Sequence, residues 1–451
     1  MVLGRALELK YLNTCYEREG SQIMVVYGEK NVGKTTLLQQ FTQDKPCYYY
    51  KARSASEREQ RYQWGRELWE NQKRYPSFTD IFHFITQEPG RKKVIIIDEF
   101  QYIVKTGESF MRELSAFVSN GWRALEVMVV LCSSSVGWVE NSMIMKMGKA
   151  AYELSGLLKI KELTYEAMSR YFPGFSRETC IEAYAVLGGI PGLWKQFNDR
   201  LDIKENICRN ILDKDKLLFE EGRRIVAEEL RETGVYNTIL ASIAAGNYKL
   251  NDLYLHTEFS RAKISVYLKN LMELELVEKV FSYDTEGKEN AQKGVYRIKN
   301  HFVHFYFTFL YPNLSRLEKM APEEFYESYI APGFKVYVAE HYKEVCMQRI
   351  QRWSAEGRLP FTAKKSGEWV GKFGNIDIIA RGENGETIIG LCNFEGPLMS
   401  YDDYEWLLFC AKKAKLKADY VYLFSVNRFD EKLCLEAEKQ QNLRLITVDE
   451  M

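Results

Sequence analysis

The longest uninterrupted apolar stretches of this chain are short and β-branched. Ile23-Met-Val-Val-Tyr27, Val94-Ile-Ile-Ile97 and Val127-Met-Val-Val-Leu131 show no polar alternation. Runs of this kind predict strands covered on both faces, as in a parallel sheet. They are far too short to cross a bilayer as helices. After the first of them the period becomes helical, at Thr36 to Phe41. From Leu163 to Glu232 it is helical almost throughout, including Glu178 to Leu187 and the charged stretch Asp202 to Leu230. Tyr236 to Gly246 predicts a helix closed by glycine, and Lys249 to His256 a short second one. Ser260 caps a third that runs through Glu273, with Ile264, Leu268, Leu271 and Met272 as its buried stripe. Leu276 to Phe281 and Val295 to Ile298 then read as strands flanking a polar tip at Asp284 to Lys293.

The densely aromatic His301 to Tyr311 reads as a core helix that docks two domains. His301 and His304 share its helical spacing but have no acidic or thiol neighbours in sequence, which argues against a metal site there. The remainder predicts a helix at Gly333 to Arg352 and strands at Glu368 to Phe373, Ile376 to Ala380 and Thr387 to Cys392. A helix at Tyr401 to Lys413, a strand at Tyr420 to Phe424, a helix at Lys432 to Lys439 and a strand at Leu443 to Val448 close the chain.

Composition narrows the setting. A length of 451 residues suggests two to four domains, and 46% hydrophobic with 27% charged residues is a globular composition. Formal net charge is zero, so any basic face for nucleic acid must be local. The charged start, Met1 to Lys10, lacks the apolar stretch of a signal peptide. Nine cysteines are scattered without a C-x-x-C pair, which fits a reducing, cytoplasmic setting better than a disulfide scaffold.

The chemistry is concentrated near the first strand. Gly28-Glu29-Lys30-Asn31-Val32-Gly33-Lys34-Thr35 follows it directly and matches G-x-x-x-x-G-K-[ST], with Thr36 opening the helix behind it. The two glycines let successive backbone N–H groups curl around phosphate oxygens, and the helix N-terminus adds partial positive charge. Lys34 is expected to reach the β- and γ-phosphates of ATP, and the Thr35 hydroxyl to ligate Mg²⁺. The second apolar run ends in Asp98-Glu99, the Walker B pattern. Asp98 is expected to hold Mg²⁺ through water, and Glu99 to polarise the water that attacks the γ-phosphorus. The third ends in Cys132-Ser-Ser-Ser135, where P-loop ATPases with an additional strand place a polar sensor; Ser134 is the expected sensor.

These pieces together resemble the archaeal-type ATPase family, a branch of the AAA+/STAND P-loop ATPases. The resemblance rests on Leu3-Gly4-Arg5 with Glu8-Leu9, both Walker motifs, Leu131 to Ser135, Tyr184-Ala-Val-Leu-Gly188-Gly189-Ile-Pro191, and Asn375-Ile-Asp377-Ile-Ile-Ala380. It implies an α/β chain: a P-loop ATPase core over 1–160, and a helical lid and connector over 161–232. A winged helix with the aromatic docking helix would span 233–325, and a restriction-endonuclease-like PD-(D/E)XK domain 326–451. It also implies that Arg5 lies near the adenine and that Pro191 closes over the nucleotide. The family's arginine after the sensor corresponds to Lys149, which lacks a guanidinium's fork, so hydrolysis is expected to be slow.

A PD-(D/E)XK nuclease needs Glu-x-Lys on its third strand, whereas this chain has Leu391-Cys392-Asn393. Asp377 and a helical acid, Glu340 or Glu344, remain, with Glu395 or Glu405 as substitutes, and the domain is expected to be inactive. The expected function is an ATP switch acting on an unidentified protein partner, with oligomer formation compatible and no membrane association. The alternatives are an ATP-gated nuclease and a DNA-binding regulator using Arg261, Lys263 and Lys269. The regulator reading is weighed against by the acids Glu258, Glu273, Glu275, Glu278, Asp284, Glu286 and Glu289.

Overall fold

The computed structural model describes residues 3–69, 75–87, 90–119, 122–230, 232–283, 294–371 and 373–451. The polar tip expected at Asp284 to Lys293 lies outside the described residues. The chain divides into two compact units. The first comprises Met1–Leu163 with the short segments Ile190–Gly192 and Glu273–Glu275; the second holds the rest.

The first unit is built on a parallel sheet of β1 (Gln22–Tyr27), β2 (Cys47–Lys51), β3 (Lys93–Asp98), β4 (Val127–Ser133) and β5 (Leu154–Lys159). Their spatial order is β2-β3-β4-β1-β5, so β4 is inserted between the strands that carry the two Walker motifs. The three apolar runs explain the centre of this sheet. Because side chains alternate along a strand, each run supplies two cores at once. Ile23, Val25, Ile95, Ile97, Val129 and Leu131 face an aromatic layer with Trp64, Phe78, Phe82, Phe110 and Phe117. Met24, Val26, Val94, Ile96, Met128 and Val130 face the opposite layer with Leu12, Leu37, Leu38 and Phe41. Sequence reading did not predict β2 or β5. Both are edge strands, largely half-buried or exposed, and β5 contains Gly156, so neither carries a continuous apolar signal.

In the second unit the segment from Tyr165 to Glu229 is a series of helices, of which Arg177–Leu187 runs up to Gly188. Helices Thr233–Ala244, Leu250–Thr257 and Arg261–Glu273 follow, then the antiparallel pair β6 (Val277–Val280) and β7 (Val295–Ile298). Ile264, Leu268 and Leu271 are buried as the spacing predicts, while Met272 is half-buried. The aromatic segment is not one regular helix. His301–Phe305 is α-helical, Tyr306–Leu310 is a wider π-turn, and Tyr311–Asn313 is 3₁₀.

The C-terminal part is a five-stranded mixed sheet behind the long helix Ala331–Ala355. It contains β8 (Lys365–Val370), β9 (Asn375–Arg381) and β10 (Thr387–Asn393), and the two-residue β11 (Leu398–Met399) lies outside it. β12 (Tyr420–Ser425) and β14 (Leu443–Thr447) complete the order β14-β12-β10-β9-β8, while β13 (Arg428–Phe429) pairs with β11. One face packs Ile376, Ile379, Ile389 and Leu423 against Leu407 and Cys410 of the helix Tyr401–Lys413. On the long helix, Tyr342 and Trp353 meet Phe394 and Tyr422. All nine cysteines are free. No helix among the described residues is long and apolar enough to cross a membrane.

Candidate functional site: a phosphate cradle at the end of strand β1

In the first unit the glycine loop leaves β1 where the sheet order reverses around β4, the position at which open parallel sheets bind ligands. Gly28 must be glycine here: a Cβ would lie 2.2 Å from the Ile160 carbonyl oxygen. Gly33 has φ +101°, a conformation other residues rarely adopt, and it ends the loop directly before the helix Lys34–Phe41. The Lys34 ammonium is buried and donates to the carbonyls of Gly28 and Glu29, 2.8 Å each, so the cation lies folded along the loop. Glu29 and Val32 are buried, Lys30, Asn31 and Thr36 are exposed, and Thr35 is half-buried.

The Thr35 hydroxyl donates to Asp98 Oδ2 at 3.2 Å, so two hard oxygens suited to Mg²⁺ stand side by side at the loop. The Tyr49 hydroxyl donates to the same Asp98 oxygen at 2.6 Å. Burial, reinforced by that hydrogen bond, pushes the Tyr49 phenol well above its usual range. Beside it, burial raises the Cys132 thiol, with the Asp98 charge adding to the effect.

Glu99 lies next along the chain with φ +54°, a backbone conformation that costs energy in a non-glycine residue. Its Oε2 accepts from the Ser134 hydroxyl at 2.6 Å, the Ser134 amide at 3.2 Å and Gln101 Nε2 at 2.5 Å. The expected base and the expected sensor are therefore in direct contact. Sequence reading missed Tyr49 and Gln101. The second strand of a P-loop core borders Walker B, so the tyrosine run of β2 was the available signal for Tyr49. For Gln101, fully buried at the start of the helix Gln101–Thr106, there was none.

Arg5, expected near the adenine, has its side chain engaged by three protein partners. Its guanidinium is 3% exposed and donates to Val32 O at 2.9 Å, to Lys161 O at 2.7 Å and to Glu8 at 3.0 Å. It ties the glycine loop to the segment after β5. Burial lowers its pKa, and the bond to Glu8 opposes that effect. Pro191 lies within the first unit, where the Gly192 amide donates to Asn31 O of the loop at 3.0 Å. Lys149 is exposed in the 3₁₀ segment Gly148–Glu153.

In the second unit, Asp377 is buried with both oxygens engaged: Oδ1 by Lys343 Nζ at 2.7 Å and Oδ2 by the Cys392 amide at 3.0 Å. Asn393 closes a ring with Gly396, accepting from its amide at 2.9 Å and donating to its carbonyl at 3.1 Å. Glu340 has its pKa raised by burial, Glu395 and Glu405 are exposed, and Glu344 is engaged elsewhere, by His301.

A strand, a glycine loop with an inward lysine, and an acidic strand end beside an inserted fourth strand define a P-loop nucleotide-binding core of the additional-strand class. Comparison with known proteins agrees. Residues 3–197 match the ATPase domain found predominantly in Archaea, and residues 306–397 match a domain of archaeal and bacterial proteins of unknown function. Residues 3–197 thus form an archaeal-type P-loop ATPase domain. An uncharacterized protein of Methanocaldococcus jannaschii is 27% identical over 394 residues, covering 85% of each chain. Among solved structures, a Walker-type ATPase of Pyrococcus abyssi superimposes with a TM-score of 0.50 at 18% identity, covering 68% of this chain and 96% of its own. The ORC2 protein of Aeropyrum pernix superimposes with a TM-score of 0.47 at 14% identity, covering 70% of this chain and 93% of its own.

Proposed function

We propose that this protein is a slowly hydrolysing ATP switch whose nucleotide state is read by its second unit. The observation that carries the reading is the Ile190–Gly192 segment. It packs in the first unit, with Gly192 hydrogen-bonded to the glycine loop, yet both of its flanks, Thr164–Gly189 and Leu193–Met272, belong to the second. Filling the loop with phosphates changes what Asn31 can offer Gly192, and the chain carries that change into the lid helix Arg177–Leu187 on one side and the helices after Leu193 on the other.

At the site, the loop amides and Lys34 hold the phosphates, and Thr35 and Asp98 hold Mg²⁺, which neutralises phosphate charge when bound. Glu99 takes the proton of the attacking water once Ser134 and Gln101 release it. Lys149 in place of arginine leaves the developing charge without a bidentate partner, which slows the step.

The module formed by Thr233–Ala244, Leu250–Thr257, Arg261–Glu273, β6 and β7 is read as a winged helix, and the C-terminal sheet as a nuclease-like domain without activity. Asp377 neutralised by Lys343 and Asn393 closed onto Gly396 support that second reading. A regulator that binds DNA is favoured by one feature. Arg261 stacks 4.1 Å from the Tyr254 ring and Lys263 4.5 Å from the Phe259 ring, both cations being exposed on the third helix.

Hydrogen exchange with and without a non-hydrolysable ATP analogue tests the switch. Protection is expected to change across Arg177–Leu187 and residues 193–230 in wild type and not in Lys34→Ala. A change confined to the glycine loop would sink the proposal.

A further inference from the structure

Outside the nucleotide site, the second unit brings three residues into one cluster from two helices. One ligand atom from each of His301, His341 and Glu344 lies within 4.8 Å of the others. Sequence reading found no acidic partner for His301, because Glu344 arrives from the long helix, 43 positions later. His341 and Glu344 are one turn apart on Ala331–Ala355, with an i, i+3 spacing that puts both on one face.

The hydrogen bonds behind these atoms point away from a simple packing role. His301 Nδ1 is 2.8 Å from the Tyr184 carbonyl, which can only accept, so Nδ1 carries a proton. His301 Nε2 is 2.9 Å from Glu344 Oε2. With Nδ1 donating to the carbonyl, the contact between Nε2 and Glu344 Oε2 holds one proton, which a metal ion ligated by both atoms would displace. His341 Nε2 is 3.0 Å from His304 Nδ1, which leaves Nδ1 as the ligand nitrogen of His341. The other Glu344 oxygen accepts from the Tyr184 hydroxyl at 3.1 Å and from Gln348 Nε2 at 2.8 Å, so Oε2 is the oxygen turned to the histidines. Metal-binding histidines commonly donate their second nitrogen to a carbonyl or another acceptor, and ligating carboxylates are themselves hydrogen-bonded; both features are present.

We propose that His301, His341 and Glu344 bind one divalent transition-metal ion of the zinc class. Two imidazoles and one carboxylate suit Zn²⁺ or Co²⁺ rather than Mg²⁺ or Ca²⁺, which take oxygen ligands. The Glu344 side chain is 47% exposed while His301 is 5% exposed, so the site opens to solvent on the carboxylate side, where water completes the coordination. The ion would fasten the aromatic helix to the long helix beside Tyr184, whose carbonyl also accepts the Gly188 amide at 2.8 Å. That places it one turn before the Gly188-Gly189 step.

The test uses full-length protein without a histidine tag, stripped with chelator and titrated with Co²⁺ and then Zn²⁺ in the absence of nucleotide. One ion per chain is expected, with the intense visible bands of Co²⁺ in nitrogen and oxygen coordination, displaced by Zn²⁺. Glu344→Gln keeps the shape at a half-exposed position but removes a charged ligand, and is expected to weaken binding by at least the roughly 10–100-fold that loss of an outer-shell partner costs. His341→Ala removes a buried ring and serves only if it folds. Lys34→Ala is expected to take up metal like wild type, which separates this site from the P-loop. Folded wild type that takes up no Co²⁺, or uptake unchanged by Glu344→Gln, overturns the proposal and leaves His301 and Glu344 as a partly exposed imidazolium–carboxylate pair.

Discussion

Replacing Arg5 with alanine tests whether this residue holds the glycine loop or touches the nucleotide. The substitution removes the buried guanidinium together with its charge, and leaves the Glu8 carboxylate, whose side chain is 20% exposed, to be satisfied by water. What remains is the Val32 carbonyl in a buried setting and the Lys161 carbonyl in a partly buried one. An unsatisfied buried acceptor costs about 1–3 kcal/mol, and the Lys161 oxygen, within reach of water, roughly 1 kcal/mol. The sum is about 2–4 kcal/mol. For a unit built mainly from Met1–Leu163 this corresponds to a fall in melting temperature of roughly 5–15 °C. A loop that is correctly formed only half to a tenth of the time binds phosphate about two- to tenfold more weakly. Arg5→Lys keeps a charge without the fork and is expected to fall between the two. Thermal melts and fluorescent ATP titration of the same samples decide it. An unchanged melting temperature with ATP affinity reduced more than about a hundredfold would refute the clamp and make Arg5 a direct ligand contact.

Lys34→Ala is expected to abolish tight ATP binding or turnover, since the cradle loses its mobile cation; unchanged affinity and rate would refute the phosphate site. Glu99→Gln keeps the shape beside Ser134 and Gln101 but removes the base, so ATP should stay bound while hydrolysis falls about 10²–10⁴-fold in a single-turnover assay. Purified protein is expected not to cleave linear or circular DNA with Mg²⁺ or Mn²⁺; cleavage that disappears in Asp377→Ala would show a live nuclease. Burial, helped by the Glu178 charge, raises Glu182 from 4.5 to about 7. A raised acid stabilises the fold below its unfolded pKa and loses that contribution as pH rises through its folded one. The stability difference between Glu182→Gln and wild type should therefore change between about pH 4.5 and 7 and level off above; a pH-independent difference would refute the shift.

The parts of the fold that could be read from the sequence are those whose signal is local. β1, β3 and β4 are contiguous apolar runs, and their observed bounds differ from the reading by one or two residues. The order of elements in the C-terminal sheet was legible for the same reason. The glycine loop was legible because its backbone requires glycine at fixed places: a Cβ at Gly28 would lie 2.2 Å from the Ile160 carbonyl oxygen, and Gly33 has φ +101°. Partners that meet only through the tertiary structure were not legible. Arg5 reaches Lys161 across 156 positions, and Tyr49 reaches Asp98 across 49 from an edge strand with no apolar pattern of its own. The His301–Glu344 contact was hidden in the same way, behind an aromatic segment whose composition announced only a core.

The Lys343–Asp377 ion pair constrains how the centre of this domain can change. Losing Lys343 alone strands a buried carboxylate with no counter-charge. Gaining an acid at Leu391, on the strand β10 beside β9, would instead add a second negative charge near a carboxylate already satisfied. Either single change passes through a less stable protein, so substitutions are freer at the surface of the domain than at its centre.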